Sequence, residues 1–371
     1  MSKADRDPIK WRSRENTRVK HEILFEYLKG FIAVLSAANR GEPISVLHYV
    51  DSHAGRGWYE GGEPGSPIVA MRVGQELHDY LGQYRETPVY LECYNVEYDL
   101  ENFDSLEYEI DAVRNRFPSV GVRNFFGPFQ ERSEEILGLI ESGEPTFVFI
   151  DPFGYLGVEL QQVLRFVQRP RSEVFVTFMS DRIGRFMTDT HKAEGMRTVF
   201  DTEEWRTLIG LQGTTQQKAA VELYARQLMK RVKEQGKRIY VFPINVAYEN
   251  RPGDIYHLVH ISRHPKARLV MEGAVNRVKG TSIEEQLFVA PEVEGYVIEA
   301  LRASGNGGMR ALELAGEVWQ RSLYSSWRTD IKGAIRELEA RGEVDVRAYD
   351  NRDRKKKGIE ERDVVFLKSG R

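Results

Sequence analysis

The sequence predicts an α/β chain on a parallel, doubly wound sheet, with a helical insertion and a C-terminal winged helix-turn-helix. Three observations carry that expectation. Short runs rich in Val, Ile, Phe and Leu recur between helical stretches, as strands buried on both faces require. The first of them ends in an acid, Asp51, and opens into Ser52-His53-Ala54-Gly55-Arg56-Gly57, the strand–glycine loop–helix order of a nucleotide site. From Pro291 onward, three short helical stretches lead into two strands around a charged loop.

The N-terminal residues 2–20 are basic, with Lys3, Arg6, Lys10, Arg12, Arg14, Arg18 and Lys20 outnumbering Asp5, Asp7 and Glu15. They read equally as a solvated arm or as one that contacts phosphates. Ile23, Tyr27, Phe31 and Val34 then recur at helical spacing over 17–35. The first strand spans 46–51, and Pro67 suits the start of a helix over 68–81. The second strand, 89–96, closes on Glu97; a helix opens at Asp99 and keeps Phe103, Leu106 and Ile110 on one face. The third strand covers 120–126, followed by Gly127-Pro128-Phe129 and a helix that includes 136–140. The fourth, 146–151, runs into Pro152-Phe153-Gly154-Tyr155, and the fifth covers 173–179. This alternation of strands and helices implies a parallel sheet wound in both directions.

A helical block over 182–233 breaks the alternation and reads as an insertion of about 182–235 beside the strand ends. Strands at 239–247 and 256–262 flank Asn250-Arg251-Pro252-Gly253-Asp254, a turn sequence that predicts an antiparallel hairpin. Helices are expected at 293–301, 311–319 and 325–341, with a turn at 305–308. Strands at 344–349 and 363–367 form the wing, and the loop between them carries Arg352, Arg354, Lys355, Lys356 and Lys357. These five are candidate phosphate contacts. The expected division is 1–290 for the sheet domain and 291–371 for the winged domain.

Composition narrows the possibilities. The chain has 371 residues, which suggests two domains or one large domain with an appendage, and its 41% of hydrophobic residues allows a full-sized core. A net charge of -3 confines any nucleic-acid surface to a local patch. Cys93 is the single cysteine, which excludes an intramolecular disulfide and a cysteine-cluster metal site. It reads as a small apolar core residue. No metal-ligand spacing is found among His21, His48 and His53, and no apolar N-terminal segment suggests export, so a soluble cytoplasmic chain is expected.

The candidate site residues stand where strands end. Asp51, Glu97 and Asp151 close the first, second and fourth strands, whose carboxyl ends share one edge. Asp51 and the backbone of Gly55 and Gly57 are placed to meet a ligand's charged amino-acid end, and Glu97 to accept ribose hydroxyls. His53 belongs to the same loop and reads as loop structure more than as a general base. Phe126 is a core aromatic and a candidate to flank an adenine. A phosphate-binding Lys-Ser/Thr motif is missing, which argues against ATP. Gly61 arrives one residue late for Gly-x-Gly-x-x-Gly, which argues against NAD.

The Asp51–Gly57 stretch resembles motif I of S-adenosylmethionine-dependent methyltransferases, and Asp151-Pro152-Phe153 resembles their Asp/Asn-Pro-Pro-aromatic motif. Over residues 17–290 the chain is similar to the three-Cys-motif partner protein (TcmP) family, through the Asp-Pro-Phe-Gly element, Lys20-His21 and Ser262-Arg263-His264-Pro265. It is also similar to RlmJ-type ribosomal RNA adenine-N6 methyltransferases, through the His-Ala-Gly loop and the Lys-His pair. The resemblance implies a Rossmann-like methyltransferase fold, S-adenosylmethionine as cofactor, nucleic acid as substrate and a base exocyclic amine as target. It implies a cofactor site that includes Lys20 and His21, with a three-Cys-motif protein as possible partner. Asp151 becomes the amine acceptor, assisted by the Pro152 carbonyl, with Phe153 or Tyr155 stacking on a flipped base. The sequence departs from the motif: Phe153 replaces the second proline and Gly154 stands where the aromatic belongs. Two other readings therefore stay open. One is a non-catalytic nucleic-acid-binding partner with a methyltransferase-like fold; the other is methylation of a small molecule or protein.

Overall fold

A computed structural model describes residues 15–38, 44–84, 88–247, 254–279, 292–305, 308–349 and 358–368. The chain divides into two compact units, residues 1–238 with 244–263, and residues 239–243 with 264–371. The expected boundary at 290–291 lies outside the described residues, as do Arg352, Arg354, Lys355, Lys356 and Lys357.

The apolar runs become strands of one seven-stranded sheet: β1 (Val46–Asp51), β2 (Tyr90–Glu97), β3 (Val120–Phe126), β4 (Thr146–Ile150), β5 (Ser172–Phe178), β6 (Tyr240–Ala247) and β7 (Asp254–Ser262). Their order is β3-β2-β1-β4-β5-β7-β6. Strands β1 to β5 are parallel, and β7 runs antiparallel to β5. The chain winds outward from β1 in one direction and from β4 in the other. Right-handed crossovers then place helices on both faces, so the middle strands are apolar on both sides. All five residues of β4 are buried accordingly. The turn expected between β6 and β7 falls at 250–253, outside the described residues.

Helix α1 (Glu15–Ala38) lays Tyr27 and Phe31 on the sheet, their rings 5.3 and 5.8 Å from Phe147. Helix α2 (Ser66–Gly82) follows the glycine loop, with Pro67 in its first turn as expected. Helix α3 (Leu100–Val113) is capped by the Asp99 side chain, which accepts from the Asn102 N–H. Helix α4 (Phe129–Leu139) begins seven residues before the apolar stretch that predicted it, and Ile140 is already extended. Helix α5 (Leu160–Val167) links β4 to β5, and Phe166 stacks on Phe129 at 5.6 Å. The block expected as an insertion holds α6 (Ser180–Phe186), α7 (Ala193–Phe200) and two 3-10 turns. It ends in α8 (Gly213–Lys233), which leads toward β6.

The second unit carries α9 (Pro265–Lys279), α10 (Val293–Ala303) and α11 (Ala311–Trp319). The third expected helix divides, one π-helical stretch (Trp327–Ile331) running into α12 (Lys332–Ala340). Strands β8 (Gly308–Arg310), β9 (Val344–Arg347) and β10 (Val364–Leu367) follow the order β8-β10-β9, antiparallel throughout. Strand β8 starts at Gly308, the last residue of the expected turn, and was not expected, because three residues are too few to show alternation. The core joins Val297, Leu314, Trp319, Ile335 and Val365. Arg268 is fully buried in this unit, donating to the carbonyls of Val241 (2.9 Å), Leu323 (2.6 Å) and Ser325 (3.1 Å). Its guanidinium lies over Phe242 and Trp319, and burial brings its pKa down to about 9. No helix among the described residues is long and apolar enough to cross a membrane.

Candidate active site

Because β2, β1 and β4 are neighbours, Glu97, Asp51 and Asp151 come to adjacent positions on the carboxyl edge. The order reverses between β1 and β4, and such a switch point leaves a crevice outside the strand ends. A cavity of about 180 Å³ opens there. Its wall comes from the loops after four strands: Ser52 and His53 after β1, Tyr98 after β2, Gly127 to Gln130 after β3, and Leu156 and Gly157 after β4.

Asp51 is wholly buried. Its carboxylate accepts from the Tyr49 hydroxyl at 2.9 Å and the His53 N–H at 3.3 Å. Burial drives its pKa up to about 6, against hydrogen bonds from Ser66 and Tyr49 that favour the charged form. Asp51 therefore shapes the loop from beneath, while His53, Gly55 and Arg56 are partly exposed. Gly55 and Gly57 have φ of 66° and 86°, and a Cβ on Gly55 would meet nothing within 4 Å. The loop thus turns through left-handed backbone beside open space, where a ligand can approach the main chain.

Glu97 fastens this loop. One carboxylate oxygen accepts from the Gly55 N–H at 2.8 Å; the other accepts from the N–H groups of Tyr98 (3.0 Å) and Asp99 (2.8 Å). Burial raises its pKa, and these three donors pull it back. A carboxylate offers about four lone-pair positions, so one remains for a ligand hydroxyl. Phe126, at the end of β3, is 43% exposed, and its ring stands 5.5 Å from that of Phe103.

Asp151 lies just past β4 and forms a hydrogen-bonded ion pair with Lys20 of α1. Burial alone would raise the Asp151 pKa, but the Lys20 ammonium outweighs it and the carboxyl is held below its usual range. His21 is buried beside the pair; burial, then the Lys20 charge, lower its pKa to about 3. Burial likewise lowers that of His53 to about 4. Both imidazoles are neutral at physiological pH. Tyr59, whose ring is 5.9 Å from His21, and Tyr256 have pKa values raised by burial and by the Asp151 charge.

The Asp-Pro-Phe-Gly loop is clamped by α6 and α7. Arg182 donates to the Phe153 carbonyl. Tyr155 is buried, with its ring 5.1 Å from Phe186, and a Cβ on Gly195 would come within 2.8 Å of it. Pro152 is buried against Gly157, whose φ is 100°. Phe153 faces outward, 52% exposed. Of the two candidate stacking rings, Phe153 is therefore the presented one and Tyr155 is engaged within the fold.

The structure thus gathers Lys20, His21, Asp51, His53 and Asp151 into one cluster, with Gly55 joined to Glu97. Tyr256 and Arg182 enter from distant segments and carry no signal in the sequence; Tyr59 was missed, and its closeness to the glycine loop is the signal that would have found it.

No family model and no curated protein matches the chain. Solved structures overlap it loosely. Precorrin-6y C5,15-methyltransferase from Geobacter metallireducens GS-15 is 13% identical, covering 62% of this chain and 84% of that one, with a TM-score of 0.26. A loganic acid methyltransferase with SAH is 9% identical, with 94% of each chain covered and a TM-score of 0.33. PKMT2 from Rickettsia typhi is 10% identical, covering 86% of this chain and 73% of that one, with a TM-score of 0.29.

Proposed function

We propose that the first unit is an S-adenosylmethionine-dependent methyltransferase whose substrate is nucleic acid, with a base exocyclic amine as the target. The observation that carries this reading is the convergence of Asp51, Glu97 and Asp151 on neighbouring strand ends, beside a glycine loop tied to Glu97. The strand order also sets these acids at the switch point between β1 and β4, where open α/β sheets hold their ligands.

The residues present fit the cofactor. Open space beside the left-handed Gly55 backbone suits the amino-acid end, and Glu97 keeps one acceptor position for a ribose hydroxyl. The cavity of about 180 Å³ at this edge is sized for part of such a ligand. When bound, S-adenosylmethionine supplies an electrophilic methyl on a sulfonium.

The protein's part is alignment. Asp151 stays ionised beside Lys20 and can accept a hydrogen bond from an amine, turning the nitrogen lone pair toward the methyl. The Pro152 carbonyl assists, and Phe153 offers a face for the base. No proton need leave the amine before attack: the nitrogen takes on the positive charge that the sulfonium would lose as it becomes a thioether, and the proton then leaves to water, so neutral His21 and His53 are not obstacles. The likeness to three-Cys-motif partner proteins and RlmJ-type enzymes belongs to this proposal, as does a three-Cys-motif partner. So does the reading of 291–371 as a winged helix-turn-helix, supported by the helices α10, α11 and α12 and by the antiparallel strands β8, β9 and β10.

One observation favours the second reading, a non-catalytic nucleic-acid-binding partner: Lys20 already engages Asp151, and Tyr155 is packed away. Calorimetric titration with S-adenosylmethionine, then methyl transfer from labelled cofactor to RNA or DNA, separates the two. The enzyme reading expects saturable cofactor binding, and transfer that falls about a hundredfold or more in Asp151→Asn with cofactor affinity kept. Nucleic-acid binding without transfer would establish the second reading instead.

A further inference from the structure

We propose that the outer face of α12 and of the π-helical turn before it, with the cavity beside them, is a phosphate-contacting surface for nucleic acid, carried by Arg328, Lys332 and Arg336. The proposal rests on the nucleic-acid part of the reading above and is independent of methyl transfer.

The three cations are spaced four residues apart, which stacks them along one side of the helical run over roughly 12 Å. Like charges at that spacing repel, so the helix bears a small cost for the arrangement. Among the described residues no carboxylate lies within ion-pair distance of any of them. Elsewhere the described surface arginines are commonly paired. Arg341, one residue beyond the same helix, meets both Glu294 and Glu343.

The surroundings deepen the deficit of negative charge. Lys332 is half-buried, its ammonium 4.9 Å over the Trp327 ring. Burial, then the charges of Arg336 and Arg328, lower its pKa, while Glu361 and Glu360 act more weakly the other way. A cavity of about 290 Å³ adjoins it, lined among others by Lys266, Asn276 and Arg328. The cavity's two acids are already engaged: Glu361 pairs with Lys266 at 2.6 Å, and Glu272 accepts from the Trp327 N–H at 3.1 Å. Arg328 and Lys332 line the space, and among the described residues no carboxylate is in ion-pair contact with either.

Gly333 adds an independent sign. It stands inside the helical run, where glycine costs about 0.5–1 kcal/mol relative to alanine. A Cβ there would meet nothing within 4 Å, so internal packing does not require the glycine. A bare patch beside three cations is what a closely approaching sugar–phosphate backbone needs. Fixed cations lacking carboxylate partners fit a polyanion that brings its own charge.

The test uses the full chain and short fluorescent DNA duplexes and RNA hairpins, with anisotropy read between about 50 and 200 mM salt. The wild type should bind one or both, and the affinity should fall with salt. The triple variant Arg328→Gln, Lys332→Gln, Arg336→Gln should bind at least about tenfold more weakly. Its log–log salt slope should shrink by about 0.9 for each contact removed. Gly333→Glu, which removes no native contact, should weaken binding in the same direction. A matched triple on the first unit, Arg72→Gln, Arg165→Gln, Arg197→Gln, should leave affinity unchanged. If the wild type binds and the α12 variants bind equally with the same slope, this surface is wrong and the nucleic-acid reading stands. If the wild type binds neither polymer even at the lowest salt, both fall together.

Discussion

Asp51 and Asp151 are two carboxyls at one sheet edge that burial pushes the same way and their neighbours pull apart. Asp51 has no cation beside it, so desolvation wins and its pKa rises to about 6. Asp151 has Lys20, so it is held ionised below the usual range. The sign follows from proton counting. Between about pH 4 and 6 the folded state holds the Asp51 proton while the unfolded chain has released it, so ionisation there costs stability as pH rises. Asp51→Asn cannot ionise. Its stability relative to wild type should therefore improve from about pH 4 to about pH 6, by up to roughly 3 kcal/mol, and then level off. Denaturant melts of both proteins across that range measure it; a constant difference would mean that Asp51 does not titrate there. His21 acts the other way, because its folded pKa of about 3 lies below the ordinary 6.5. Its contribution is present above pH 6.5 and is lost as pH falls toward 3, so His21→Gln should be less acid-sensitive than wild type in the same melts. Lys20→Met would leave the Asp151 carboxylate, only 18% exposed, without its partner, and a loss of about 1–3 kcal/mol is expected in the same melts.

At the scale of elements, the clamp on the Asp-Pro-Phe-Gly loop is the arrangement most open to test. Tyr155 fits only because Gly195 of α7 has no side chain, and Arg182 of α6 holds the neighbouring carbonyl. Gly195→Ala should push Tyr155 off its seat against Phe186 and cost about 1–3 kcal/mol, read from the denaturant midpoint. An unchanged midpoint would show that α7 simply gives way. None of this was legible beforehand, since Tyr155, Phe186 and Gly195 are brought together across tens of residues that carry no periodic signal linking them. The strands were legible for the opposite reason: β1 and β4 are short apolar runs closed by an acid, and burial on both faces leaves little else for such a run to be. Helix α4 was legible only at its apolar end, because Phe129 and Ser133, both buried, sit among polar and charged neighbours that obscure the apolar stripe. The Gly55–Glu97 bond joins two motifs each legible alone, and their contact needed the parallel pairing of β1 with β2.

For the whole molecule, what the chain binds is decided by how seven strands are ordered. Three acids scattered over a hundred residues become neighbours because β1 lies between β2 and β4, and the crevice forms where the winding reverses. A ligand held there touches loops from four strands, so binding must stabilise the first unit as a body and not one loop alone. If S-adenosylmethionine is that ligand, adding it at about a hundred times its dissociation constant should stabilise the native state by about 2.7 kcal/mol. Thermal scans would show this as a rise of a few degrees, on the order of 2–4 °C per kcal/mol for domains of this size. Glu97→Gln should largely remove the shift. Its neutral amide keeps one acceptor oxygen for the backbone donors of Gly55, Tyr98 and Asp99, and the position left for a ribose hydroxyl is taken up. NAD and ATP should produce no shift, because the loop lacks both the third glycine of a dinucleotide turn and the lysine of a phosphate cradle. A rise with either of them, and none with S-adenosylmethionine, would mean that the crevice is shaped for a phosphate and that Asp151 serves some other chemistry.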